Sequence, residues 1–138
     1  MKRIYIIIYI IISISSSLLS QQADSLSFMQ LKPAQFSEEI GIVSNPLIID
    51  VREFFEYRKF RLNGAVNIPS SGSIDVPSDT IDRSRHLFLY CTSGFRSKRV
   101  ARKFADKGFI HVYSLDGGIK AWKEAGLRID RKRMKKRS

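Results

Sequence analysis

Apolar residues along this chain come in two rhythms. Short β-rich runs alternate with stretches in which apolar residues recur every three or four positions. Phe28 to Leu31 reads as a short strand. Pro33 opens a helix in which Phe36, Ile40 and Val43 form one apolar face. Asn45 and Pro46 end it. "LIID", Leu47 to Asp50, fits a strand buried on both faces. "REFFEYRKF" is a short helix, and "GAVNIP" a second small strand closed by Pro69. Ser70 to Arg85 is rich in Ser, Gly, Pro and Asp, which predicts a loop with at most one helical turn. "HLFLYC" is the strongest strand pattern and ends at Cys91. From Phe95 to Lys107, Val100, Ala101, Phe104 and Ala105 share a helix face. Lys98, Arg99, Arg102, Lys103 and Lys107 lie outside it, and Gly108 stands where a helix C-cap glycine belongs. "HVYSL" and "GGIKAWKEAGL" give a last strand and a last helix. There is no internal repeat. Alternating strands and helices imply an α/β fold, a parallel sheet flanked by helices. Such sheets place their binding sites outside the carboxyl ends of the strands. Cys91 falls at one of those ends.

The chain has 138 residues, which suits one domain with a core that needs no staples. Its formal net charge is +11. Much of that sits at the end, where Arg128, Arg131, Lys132, Arg133, Lys135, Lys136 and Arg137 stand against Asp130 alone. Residues 128–138 are therefore expected to be a disordered, solvated basic tail, with adhesion to an anionic membrane surface as its functional alternative. At the other end, Lys2 and Arg3 precede an apolar stretch from Ile4 to Ile14, followed by serines, Leu18, Leu19 and Ser20. That is the layout of a secretory signal peptide over residues 1–20. It is short of the about 20 predominantly apolar residues of a spanning helix, so a retained N-terminal membrane anchor is the second choice. Export to the periplasm or outside the cell is the expectation, and an exported protein meets little nucleic acid, so no nucleic-acid partner is expected. Residues 21–30 form an N-terminal segment, and the domain proper runs over 31–127.

Cys91 is the single cysteine. An odd cysteine in an exported protein points to a reactive thiol or an intermolecular bond, while a buried inert cysteine is the plain alternative. Its position favours reactivity. "TSGFRS", Thr92 to Ser97, runs into a helix whose free N–H groups carry partial positive charge. Arg96 adds a full charge, and Gly94 can take the positive φ of a tight turn. Successive N–H groups in such a turn make an anion-binding nest. That arrangement favours a thiolate, and equally an anionic adduct on it. For this to serve chemistry, the sulfur must be reachable and the amides must face it. Cysteine phosphatases hold phosphate in a loop of pattern C-x5-R. Here four residues separate Cys91 from Arg96, a narrower ring that suits one added sulfur better than a tetrahedral phosphate.

These residues resemble the rhodanese domains, whose active loop commonly reads C-R-S-G-N-R-S, here "CTSGFRS". "LIIDVREFFEY" is similar to the family's D-V-R-E motif through Asp50, Val51, Arg52, Glu53, Glu56 and Tyr57. "NGAVNIP" is similar to its G-A-x-N-I-P segment through Gly64, Ala65, Asn67, Ile68 and Pro69. The closing motif is matched at Gly108, Phe109, Val112, Leu115, Gly117, Gly118, Trp122 and Gly126. The likeness runs from about Leu31 to Leu127. It departs at Thr92, where many members carry arginine, at Phe95, where a polar residue is usual, and at Arg61, which takes a histidine position.

The resemblance implies a three-layer rhodanese-like fold and a two-step sulfur transfer. Cys91 would take a sulfane sulfur from a small anionic donor such as thiosulfate, then pass it to cyanide or another thiol. Thr92, Ser93, Gly94, Phe95, Arg96 and Ser97 would bind the persulfide, with Asp50 and Arg52 in support. As plain alternatives, Asp50 and Arg52 could be an exposed ion pair, Trp122 core, and Gly117 and Gly118 a tight turn. His86 and His111 sit at strand starts, away from the loop. With one cysteine they offer no metal-ligand cluster, and no cofactor is implied. Two further readings stay open: a low-turnover rhodanese-fold binding or sulfur-carrier module, and a thiol redox protein whose resolving cysteine comes from elsewhere.

Overall fold

The computed structural model describes residues 28–73 and 75–131. The leader expected over 1–20 and most of the basic tail lie outside them. The elements are β1 (Met29–Leu31), α1 (Pro33–Ile42), β2 (Leu47–Asp50), α2 (Phe54–Lys59), β3 (Val66–Asn67), α3 (Asp75–Thr80), β4 (Leu87–Tyr90), α4 (Phe95–Asp106), β5 (Val112–Leu115) and α5 (Gly118–Glu124).

The described strands make one five-stranded sheet in the order β1-β5-β4-β2-β3, parallel throughout. β4 is its centre. Leu87 to Tyr90 are all buried, because helices cover both faces and every side chain meets one of them. Alternation along the strand sorts these side chains. Phe88 and Tyr90 join the cluster of Phe36, Ile119 and Trp122, where Phe36 meets Phe88 edge-on at 5.3 Å between centroids. Leu87, Leu89 and Cys91 face the other way, into a cluster with Val100, Ala101 and Phe104 of α4. Strand period and helix period therefore meet at the cysteine. α4 buries Ser97, Val100, Ala101 and Phe104, one stripe at i, i+3, i+4 and i+7.

Two expectations from the chain pattern need correction. Residues 70–85 hold more than one helical turn, since α3 spans Asp75–Thr80. Ser78 is buried there, and the Arg83 guanidinium donates to its carbonyl at 2.7 Å, tying the segment down. Nor do residues 128–131 run free in solvent. The Arg128 carbonyl accepts from Trp122 Nε1 at 2.9 Å. Arg61 and Asp130 form an antiparallel bridge with N–H···O distances of 2.9 and 2.7 Å. Leu127 and Ile129 pack on the core. The apolar residues among the charges give this stretch something to bury, which a count of charge overlooks.

No described helix is long and apolar enough to cross a membrane.

Candidate active site

Cys91 follows β4 at the carboxyl edge of the sheet, between the Asp50 end of β2 and the Leu115 end of β5. The chain then turns sharply. Gly94 takes φ +95° and starts α4. The turn brings the Gly94 N–H to 3.1 Å from Cys91 Sγ, and the N–H groups of Ser93 and Ser97 also reach the sulfur. Burial pushes the thiol pKa up. Hydrogen bonds from the Ser97 N–H and hydroxyl and from the Ser93 and Gly94 N–H groups outweigh it and hold the thiol below its ordinary range. The Ser97 hydroxyl lies 3.1 Å from the Gly94 carbonyl and accepts from Ser114 Oγ at 3.0 Å, so its single proton serves either that carbonyl or the sulfur.

The loop's carbonyls are held just as firmly. α5 begins against them. The Ile119 N–H donates to the Cys91 carbonyl at 2.8 Å and the Lys120 N–H to the Thr92 carbonyl at 3.2 Å. This contact requires Gly118, which has φ +61°. A Cβ there would stand 2.5 Å from the Cys91 and Thr92 carbonyl oxygens. The Gly117–Gly118 pair is thus more than a turn. It lets one helix end draw the loop carbonyls outward while the loop amides face the sulfur.

Arg96 divides its bonds. Its guanidinium grips Glu56 at 3.0 and 3.2 Å and Thr92 Oγ1 at 3.1 Å, and the bond to Glu56 first, with the nearby Cys91 sulfur a lesser cause, raises its pKa. Thr92 Oγ1 in turn donates to Glu56 at 2.9 Å. The three side chains form a closed ring. Arg96 first, helped by Thr92 and the Glu53 N–H, holds the Glu56 carboxyl at about 2 against the upward push of burial, which is larger than either of those two helpers. Glu56 comes from α2, whose N-terminus it also closes through Glu53 N–H at 3.1 Å. Cys91 is 1% exposed, while Thr92, Ser93 and Phe95 are on the surface. The amides face the sulfur as expected, but the other requirement, a reachable sulfur, is not met in this conformation: the sulfur lies beneath the loop, and a donor reaches it only if the loop or the Arg96 ring gives way.

Asp50 and Arg52 are not an exposed pair. They are 0% and 1% exposed, joined at 2.7 Å, with Arg52 Nε also bridging both carboxylate oxygens. Arg52 donates to the Phe60 carbonyl at 2.6 Å and lies between the Phe60 and Tyr90 rings. Burial pulls the guanidinium down, and the bonds and charge of Asp50 more than restore it. Among the described residues no hydrogen bond or ion pair joins Asp50 or Arg52 to residues 92–97. They fix the strand ends on which the loop stands. His86 and His111 stack at 4.0 Å at the amino ends of β4 and β5, across the sheet from the sulfur.

Two cavities flank the loop. One of about 260 Å³ is lined by Phe60, Thr92, Ile119, Lys120, Lys123 and Glu124. The other, about 40 Å³, is lined by Ser70, Arg96, Arg99, Val100 and Lys103. The described residues contain no group of three or more metal-ligating side chains. Sequence reasoning missed Glu56 as a partner of the loop. The signal was present as the second glutamate of "REFFEY", but nothing in the chain says that α2 leans on residue 92.

Comparison with known proteins fits this geometry. The model of the rhodanese-like domain matches residues 32–125. A tRNA sulfurtransferase of Desulfurococcus amylolyticus is 39% identical over 93 residues, 67% of this chain but 18% of that longer protein. A thiosulfate sulfurtransferase, GlpE, of Actinobacillus succinogenes is 28% identical over 105 residues, 76% of this chain and 93% of its own length. Among solved structures, a rhodanese-related protein of Thermoplasma volcanium superposes with a TM-score of 0.65 at 25% identity, covering 74% of this chain and 97% of that one.

Proposed function

This chain belongs to the rhodanese-like domain family, and from that premise we propose that it is a sulfurtransferase working through a persulfide on Cys91. The thiolate attacks the outer sulfur of a donor such as thiosulfate. An S–S bond forms to Cys91 Sγ, the donor's S–S bond breaks, and sulfite leaves with the electron pair. The enzyme persulfide then yields its outer sulfur to cyanide or to another thiol, restoring the Cys91 thiolate.

The observation that carries this reading is the amide cradle, with the Gly94 N–H 3.1 Å from Sγ and the Ser93 and Ser97 N–H groups beside it. Fixed dipoles that already face an anion need not reorganise when the charge moves outward by one sulfur. A thiol held below its ordinary pKa also needs no general base, which accords with the distance of both histidines from the loop. Export follows from the leader pattern of residues 1–20 and is part of the same proposal. Sequencing the mature N-terminus tests it.

Mass spectrometry after incubation with excess thiosulfate tests the chemistry. Wild-type protein is expected to gain one sulfur on Cys91 and to release thiocyanate when cyanide is added, whereas Cys91→Ser gains none. Absence of added sulfur on the wild type overturns the proposal. Turnover of an aryl phosphate at Cys91 would instead mark the loop as a phosphate cradle.

A further inference from the structure

The ring of Glu56, Thr92 and Arg96 contributes no amide to the cradle, yet it stands beside the loop that holds the sulfur. Arg96 is paired with Glu56 at 3.0 and 3.2 Å, and its charge is near enough to Cys91 for the two to interact. It is the ion-paired cation of the active loop, and its charge is answered by a carboxylate that stays ionised down to about pH 2. Thr92, hydrogen bonded to both, brings no charge of its own. Within the ring a donor reaching Sγ therefore meets a thiolate and a carboxylate against one guanidinium, while Lys120 and Lys123 line the larger cavity outside it and Arg99 and Lys103 the smaller.

The form of the donor decides what this costs. Thiosulfate brings two negative charges in a body of a few atoms. To be neutralised it must take Arg96 from Glu56, which leaves the carboxylate facing a dianion at short range, where a unit charge counts for most. A persulfide of an organic thiol carries its reactive sulfur on an uncharged stem. The surroundings give such a stem apolar contacts: Phe95 is 69% exposed in the loop itself, and Phe60 and Ile119 line the larger flanking cavity beside Thr92, Lys120, Lys123 and Glu124.

We propose that Glu56 is a specificity-determining residue, which through its bonds to Arg96 and Thr92 disfavours small inorganic dianions and selects persulfides of organic thiols, R–S–SH, as sulfur donors. The proposal rests on the sulfurtransferase reading. In the favoured step the Cys91 thiolate attacks the terminal sulfur, a bond forms between Sγ and that sulfur, and the R–S bond to it breaks. The departing thiolate takes the terminal sulfur's proton, giving the Cys91 persulfide anion and R–SH.

Two pairs of reagents test this on the full chain, each variant being assayed at a pH where its Cys91 is fully ionised. The first pair is iodoacetate and iodoacetamide, which differ in charge and report access to the sulfur without any sulfur transfer. The second is thiosulfate and the persulfide of 2-mercaptoethanol, whose stem is uncharged, read by mass spectrometry as the rate of sulfur loading. In Glu56→Gln the iodoacetate rate is expected to rise on the order of tenfold, as removal of one nearby charge predicts, with the iodoacetamide rate within about twofold of wild type. Loading from thiosulfate should rise by about tenfold or more, and loading from 2-mercaptoethanol persulfide by less than about threefold. Because Glu56 also closes α2, Thr92→Arg provides a second variant; it keeps Glu56, adds a cation and should move both ratios the same way. Equal acceleration of both reagents in a pair would reveal a loosened lid without charge selection and overturn the proposal, as would unchanged ratios in both variants. A shifted alkylation ratio with no sulfur loaded from either donor would support the charge filter and overturn the sulfurtransferase reading instead.

Discussion

The Cys91 thiol is drawn below its ordinary pKa by dipoles more than by a full charge. The dominant favourable contributions come from Ser97, Ser93 and Gly94, opposed by burial, while the nearby guanidinium is largely committed to Glu56. Alkylation of Cys91 followed against pH is accordingly expected to show a midpoint below that of an ordinary cysteine. Ser97→Ala, which removes one hydroxyl and leaves the N–H, should move it upward. A wild-type midpoint at or above the ordinary value would contradict the cradle. Asp50 and Arg52 make the opposite case, a charged pair whose worth is structural. Removing one partner strands a buried charge, so Asp50→Asn is expected to cost about 3–5 kcal/mol in urea unfolding. A loss below about 1 kcal/mol would show that Arg52 finds solvent or another partner. Much of this scale was legible in the chain. The single thiol before "TSGFRS" marked the candidate reacting atom and the glycine of its turn. Burial of Asp50 and Arg52 was not legible, because D-x-R spacing is the same for an exposed pair as for one enclosed by Phe60 and Tyr90.

At the scale of elements, the site is a junction of three helix ends on one strand end. α4 supplies amides to the sulfur, α5 supplies amides to the carbonyls of Cys91 and Thr92, and α2 supplies the carboxylate to Arg96. The least tolerant point is Gly118, where a methyl group would meet two carbonyl oxygens at 2.5 Å in a backbone conformation with φ +61°. Gly118→Ala is expected to destabilise the fold by about 2–4 kcal/mol. It should slow sulfur loading of the protein that remains folded, because α5 must back away from the loop. Wild-type loading in that variant would show that α5 is not needed to shape the cradle. Strand and helix periods revealed most of the elements, including the apolar stripe of α4. α3 escaped because its composition reads as loop, and Ser78 is buried by its neighbours rather than by its own character.

For the molecule as a whole, stability against acid should carry the signature of the ring. Glu56 titrates at about 2 in the folded protein and near 4.5 when free. The unfolded chain therefore binds its proton first as pH falls. The ring's contribution is complete above about pH 4.5 and is lost as pH descends to about 2. Glu56→Gln should flatten the stability profile in that window, and an unchanged profile would mean that solvent screens the pair. The far end of the chain offers a second test. Ending it at Leu127 removes the Arg61–Asp130 bridge and the Trp122 bond to Arg128, and is expected to cost about 1–3 kcal/mol relative to a chain ending at Arg131. Equal melting temperatures for the two would show that the bridge adds nothing. By itself the amino-acid sequence determined the parallel α/β architecture, the place of the one thiol at a strand end and the turn that aims amides at it, because these depend on local period, glycine and near neighbours. The tertiary structure alone decided that Glu56 closes on Arg96, that Gly118 lets α5 seize the loop carbonyls and that Asp50 and Arg52 are interior. Each of those joins residues through space, across segments whose approach is set by how the helices pack on the sheet.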